Sequence, residues 1–359
     1  MMLSRFSIAM VLGAAVTAQG AGLTKGTPDL KSAGALAFGP DGLLFVGDSQ
    51  GAAIFAIDTG DRAADSAAAG AFKVEGLNEK IAALIGTETR DLAINDLAVN
   101  PASGKAYLSA SRGRGPAATP VIIRVDRSGK LDVVSLADVP FAKAPLGNVP
   151  SATAAAKKGA SPRSQAITDL AFVDGRVYVA GLSNEEFSSR LVSIPYPFAD
   201  VDKGTSVEIY HGAFETRSPV RTFASYKIKG EPYLMAAYTC TPLVKFPVAS
   251  LKPGTHYKAT TVAELGNRNV PLDMIVYQKG GKDFILLANN SRGVMKISTD
   301  GIDQAASITS KIADTAGQPY EKVADLKGVV QLDALDKDNA LVLVQQPSGS
   351  LDLETVPLP

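Results

Sequence analysis

Tryptophan is absent from the 359 residues, cysteine occurs once, at Cys240, and histidine only twice. Repeats whose signature carries tryptophan, such as WD-repeat blades, are therefore excluded. A single thiol cannot build an internal disulfide framework. Charge of one sign is missing too: 36 Lys and Arg balance 36 Asp and Glu, which removes the basic footprint of a nucleic-acid binder. No stretch approaches the roughly 18 uninterrupted apolar residues of a membrane-spanning helix. Phosphate loops, dinucleotide fingerprints and paired-histidine zinc motifs are likewise lacking.

What is present suits a large folded core. Hydrophobic residues make up 46% and charged residues 20%, too much apolar material for a disordered chain. The 33 Gly and 21 Pro predict frequent turns. Residues 1–22 have the layout of a secretory signal peptide: Arg5, an apolar run from Phe6 to Val16, and small residues at Ala18, Gly20 and Ala21. Cleavage near Ala18 to Gly22 is expected to leave one domain, residues 23–359. That domain would be periplasmic or secreted, with no membrane span.

One pattern recurs six times: an apolar strand, a tight turn, a second apolar strand, a polar loop and a third strand. The copies open at Ala35, Asp96, Asp169, Thr222, Asp273 and Asp333. Their turns are Asp41-Gly42, Ser103-Gly104, Asp174-Gly175, Lys229-Gly230, Gly280-Gly281 and Asp338-Asn339, the kind that signals a hairpin. Fourth, outer strands are expected at Ala71 to Val74, Leu131 to Val134, Ser206 to Tyr210, Ala259 to Ala263 and Lys322 to Ala324. The repeat predicts an all-β fold, a six-bladed β-propeller of four-stranded antiparallel blades. Leu23 to Lys31 is expected to supply the last blade's missing strand and close the ring. A seven-bladed ring is the alternative, with a degenerate blade between Gly60 and Ile94. Two long connections are expected on the face of the channel mouth, as a lid over it or as a floppy excursion: Leu77 to Arg90, with a short helix at Leu77 to Ile85, and Ala137 to Gln165.

The first copy, Phe38-Gly39-Pro40-Asp41-Gly42-Leu43-Leu44-Phe45-Val46-Gly47-Asp48, resembles the repeats of the NHL and gluconolactonase-like (regucalcin-like) six-bladed propellers. The resemblance implies one divalent ion at the channel mouth, calcium first, held here by Asp273, Asp333 and Asn290. It also implies lactone hydrolysis with Asp273 as base and a metal-polarised carbonyl. Gly34-Ala35 stands where those enzymes carry an acidic ligand.

Four of the six residues opening the inner strands are carboxylates: Asp96, Asp169, Asp273 and Asp333. Two readings stay open. A cation or polar ligand would relieve their mutual repulsion, or each Asp accepts hydrogen bonds from its own turn or a neighbouring blade. The fourth copy gathers the rare residues. His211 and Cys240 belong to segments that reach the same face, as a nucleophile with its base or as soft ligands for copper or zinc. Arg217 and Arg221 are placed to clamp an anionic ligand or, equally, to pair with Glu215 or the ring of Asp. Gly47-Asp48-Ser49-Gln50-Gly51 matches a nucleophile-elbow string but joins two strands, so it reads as an ordinary blade loop. The functions expected are a channel-mouth ligand or cation binder, as a hydrolase or not; a scaffold for another exported protein; or a redox protein centred on Cys240 and His211.

Overall fold

Two-residue turns set up the sheets. At Asp174-Gly175, Lys229-Gly230 and Gly280-Gly281 both turn residues have positive φ, the backbone whose twist matches that of the flanking strands. Each therefore joins directly paired strand ends: Val173 with Arg176, Ile228 with Glu231, and Lys279 with Lys282. The computed structural model describes residues 22–64, 70–154, 161–240 and 242–359. The proposed signal peptide, up to Ala21, lies outside the described residues. Among them, no helix is long and apolar enough to cross a membrane.

Six sheets form the blades of a β-propeller, antiparallel throughout except where His256–Lys258 runs parallel to Thr205–Tyr210. In chain order, their inner strands are Leu36–Phe38, Leu92–Val99, Asp169–Val173, Thr222–Ile228, Pro271–Lys279 and Val329–Ala334. Second and third strands follow in each, as the repeat predicts. The segment Gly60 to Ile94 holds no seventh blade: its described part carries the strand Lys73–Val74, helix α1 (Leu77–Ile85), a short helical turn and the start of blade 2.

Chain order and ring order differ. The inner strands contact one another in the circular order of blades 2, 1, 3, 4, 5, 6 and back to 2. The apolar clusters between blades agree. Phe45 and Ile54 of blade 1 pack with Val177 and Val192 of blade 3, whereas Leu97 and Leu108 of blade 2 pack with Leu341 and Leu343 of blade 6. Blades 1 and 2 have exchanged places.

The outer strands explain how. After its third strand, Ala53–Asp58, the chain leaves blade 1 unfinished and pairs Lys73–Val74 with Leu351–Pro357 of blade 6. It then runs through α1 into blade 2, which lies between blades 6 and 1. Leaving blade 2 at Leu131–Val133, it returns to complete blade 1 with Val139–Pro145 before entering blade 3. Phe72, Val74, Leu77 and Ile81 are buried between blades 2 and 6, which anchors the excursion.

Three expectations are corrected by this path. Ala71 to Val74 does not finish blade 1; Lys73–Val74 closes the ring at blade 6. Leu23 to Lys31 does not close the ring, because Thr24–Gly26 pairs with Val139–Pro145 as a fifth strand of blade 1. Ala137 to Gln165 is not wholly a cover, since its first third is that blade-1 strand; Lys157 and Lys158 lie outside the described residues.

The exchanged order is testable by cross-linking. In a Cys240→Ser background, Lys73→Cys with Glu354→Cys is expected to oxidise to a disulfide joining the chain's first quarter to its last strand, because these positions face each other across paired strands. Mass analysis of the non-reduced protein reads the outcome.

Candidate functional site

The four carboxylates at the inner strands line one central cavity of about 400 Å³ together with Leu36, Phe223, Met274 and Leu332. Each one bridges two strands. One oxygen accepts the amide of the next residue in its own chain: Leu97 at 2.9 Å, Leu170 at 2.7 Å, Met274 at 2.8 Å and Ala334 at 2.7 Å. The other accepts an amide from the adjoining blade. Asp96 takes Leu36 at 2.6 Å, Asp169 takes Phe223 at 2.7 Å, Asp273 takes Leu332 at 2.9 Å and Asp333 takes Val99 at 2.7 Å. The ties all point the same way round the ring. Blade 1, with Ala35, and blade 4, with Thr222, make no such tie.

Burial pushes all four carboxyls above the usual range: Asp169 to about 7, Asp333 to about 6, and Asp96 and Asp273 well up. Neighbouring charge adds to it, Asp169 acting on Asp96 and Asp96 on Asp273. The paired amides work in the opposite direction by favouring the anions.

The cation set implied by the resemblance is not assembled. Asp273 and Asp333 share the central cavity, but Asn290 lines another pocket, between blades 5 and 6. Its side-chain oxygen accepts from the Val270 amide and the Ser291 hydroxyl. Among the described residues, no group of three or more His, Cys, Asp or Glu is placed to hold a metal ion. Asn290 is thus parted from the two acids, and every oxygen of the four Asp already accepts one amide.

Just above the carboxylates, at the channel mouth, lies a pocket of about 310 Å³. Its lining is dominated by hydroxyl and amide side chains, among them Ser49, Gln50, Asn95, Ser111 and Thr168, and includes the guanidinium of Arg221. Asn95 donates to the Ala33 carbonyl and the Ser111 hydroxyl, and Thr168 donates to the Val220 carbonyl. Ser49 donates to the Ile167 carbonyl at 3.0 Å, which ties blade 1 to blade 3 and commits the hydroxyl of the elbow-like string to structure. Arg221 is different. Its Nε is buried without a hydrogen-bond partner, no carboxylate among the described residues pairs with it, and burial lowers its pKa. Arg217 is exposed and lies outside this lining, so the two arginines do not form a clamp.

A family-model scan and a search of curated proteins find no match to this chain. Solved structures with a similar course exist at low identity. A putative oxidoreductase (glucose dehydrogenase) from Thermus thermophilus shares 14% identity, with 93% of this chain and 100% of that one covered and a TM-score of 0.35. The PQQ-bound aldose sugar dehydrogenase from Streptomyces coelicolor shares 12%, with coverage of 93% and 96% and a TM-score of 0.37. A putative gluconolactonase shares 8%, with coverage of 94% and 93% and a TM-score of 0.34.

His211 and Cys240 do meet, away from the mouth pocket, at the seam between blades 3 and 4. The partner that brings them together, Glu264, carries no local sequence signal. Only the register of Pro242 opposite Glu264 reveals it.

The carboxylate ring predicts an unusual pH dependence. Because the folded pKa values lie above the unfolded value near 3.8, the native state holds more protons between about pH 4 and pH 7. The ring's contribution to stability is therefore fully present below pH 4 and is lost as pH rises through 6 to 7, each such carboxyl contributing a slope of about 1.4 kcal/mol per pH unit. Urea titrations at pH 4.5, 6 and 7.5 measure the slope. Asp273→Asn is expected to flatten it and to cost about 1–3 kcal/mol at low pH, since an amide nitrogen cannot accept from the amide left behind.

Proposed function

We propose that the protein is a ligand-binding propeller that holds a small anionic molecule at the channel mouth, with Arg221 as its anchor. The observation that carries this reading is the Arg221 guanidinium, whose buried Nε has no hydrogen-bond partner among the described residues, in the lining of a pocket of hydroxyl and amide groups. Taking a cation out of water without a counter-charge is costly, and an anionic ligand restores the balance. The uncharged polar lining suits hydroxyl groups on the same molecule. A hydroxycarboxylate is the class that satisfies both.

The neutral hydrogen-bonding rim fixes the orientation of such a ligand, while the guanidinium supplies a fork matched to a carboxylate. The carboxylates below stay apart from it, because their oxygens are committed to the blades. A hydrolytic version would place a carbonyl of the ligand beside these groups. The charge and apolar layout of residues 1–22 supports export.

Calorimetric titration with lactate, gluconate and citrate tests the reading. One-site binding of at least one of them is expected, weakened about tenfold to a hundredfold in Arg221→Gln, as for the loss of a charged hydrogen bond. If none binds, or if Arg221→Gln binds equally well, the mouth pocket is not a carboxylate site and the scaffold reading replaces this one.

A further inference from the structure

Cys240 follows the second strand of blade 4, Glu231–Ala237, and adopts a left-handed backbone with φ of 67°. For a non-glycine residue that conformation needs support from its surroundings. The support is visible: the Cys240 amide donates to the Asn269 carbonyl at 2.7 Å. The Asn269 side chain is itself pinned, by Asn289 at 2.9 Å and by the Ser291 amide at 3.2 Å. The Cys240 backbone is thus held in place, and the residue stays partly accessible.

His211 comes from blade 3. It follows the outer strand Thr205–Tyr210, in the tight turn that leads to Phe214–Glu215. Its Nδ1 lies 2.9 and 3.0 Å from the two oxygens of Glu264, whose side chain is only 6% exposed. Glu264 stands opposite Pro242, two residues beyond Cys240, so one imidazole reaches both groups. Cys240 is one of the groups that raise the pKa of the His211 ring, which sets the thiol beside it. Nucleophile, imidazole and orienting carboxylate are the three parts of an activated nucleophile.

We propose that Cys240, His211 and Glu264 form a reactive-thiol site, separate from the mouth pocket, that takes a small organic disulfide and forms a reversible mixed disulfide at Cys240. The chemistry follows from the parts. The Cys240 sulfur, as its anion, bonds to one sulfur of the reagent as the reagent's S–S bond breaks. The departing thiolate takes a proton from the His211 imidazolium, and solvent restores that proton. Glu264 holds the imidazole pKa up at about 9, with Cys240 adding to it, so the donor is charged at neutral pH. Because the chain has one cysteine, no second thiol of its own resolves the product. A small external thiol releases it by the reverse exchange.

The experiment uses the reduced full-length protein with two probes, 2-hydroxyethyl disulfide and 4,4′-dithiodipyridine, and N-acetylcysteine as the reference thiol. Stoichiometric modification at Cys240 by mass spectrometry is expected, about tenfold faster than the reference with 2-hydroxyethyl disulfide at pH 7. His211→Gln should lose that advantage for 2-hydroxyethyl disulfide, whose leaving thiolate needs a proton, and lose less for dithiodipyridine, whose leaving group does not. Glu264→Gln should slow the reaction and Glu264→Asp should restore part of it, a pattern that a purely structural tie between blades would not produce. Wild-type rates no faster than the reference overturn the proposal without recourse to any variant. So does an equal loss with both probes in a folded His211→Gln protein.

Discussion

A carboxylate that accepts from two strands at once is the contact on which the ring depends. Asp96, Asp169, Asp273 and Asp333 each join an amide of their own strand to an amide of the adjoining blade. Hydrophobic packing between blades is non-directional and sets only their proximity. The shared carboxylate fixes how far one inner strand may slide against the next. It also costs something, since four acids are concentrated in one enclosed space and their anions are disfavoured there. The amides offset part of that cost.

This commitment shapes where chemistry is possible. A carboxylate already engaged by amides through both oxygens is a poor cation ligand, so the most conspicuous residues of the inner strands are the least free to act. The open groups lie at the margins. Arg221 sits one residue before an inner strand, above the acids rather than among them. His211 and Cys240 sit out at a blade seam, held by a buried acid that belongs to an outer strand.

Local features were legible in the sequence and long-range ones were not. Turns such as Asp174-Gly175 announce their hairpins because few backbones fit a two-residue loop, and helix α1 follows from a compact apolar stretch. The structural reading of the four Asp was available from their position alone. Blade exchange was not, since Lys73–Val74 is two residues long and nothing in its sequence names its partner. Thr24–Gly26 is only one residue longer, which is why position in the chain misled. Glu264 was missed for a related reason: its importance arises from what faces it across the sheet. Arg217 and Arg221, four residues apart in sequence, are separated by the bend that leads into blade 4.

The interleaved path also bears on how such a ring can change in evolution. Blade 2 is drawn from one uninterrupted stretch of chain, and the four main strands of blades 3, 4 and 5 follow one another in sequence, but His256–Lys258 of the blade-4 stretch adds to blade 3 and Thr315–Gly317 of the blade-5 stretch adds to blade 4. Blade 1 takes its outer strand from beyond blade 2, and blade 6 takes its own from before it. Duplicating the stretch of blade 1 or of blade 6 alone would leave a sheet short of its outer strand. Strand exchange therefore ties blades 1 and 6, and more lightly blades 3, 4 and 5, to the chain of another blade, and a single-stretch change in blade number is simplest at blade 2.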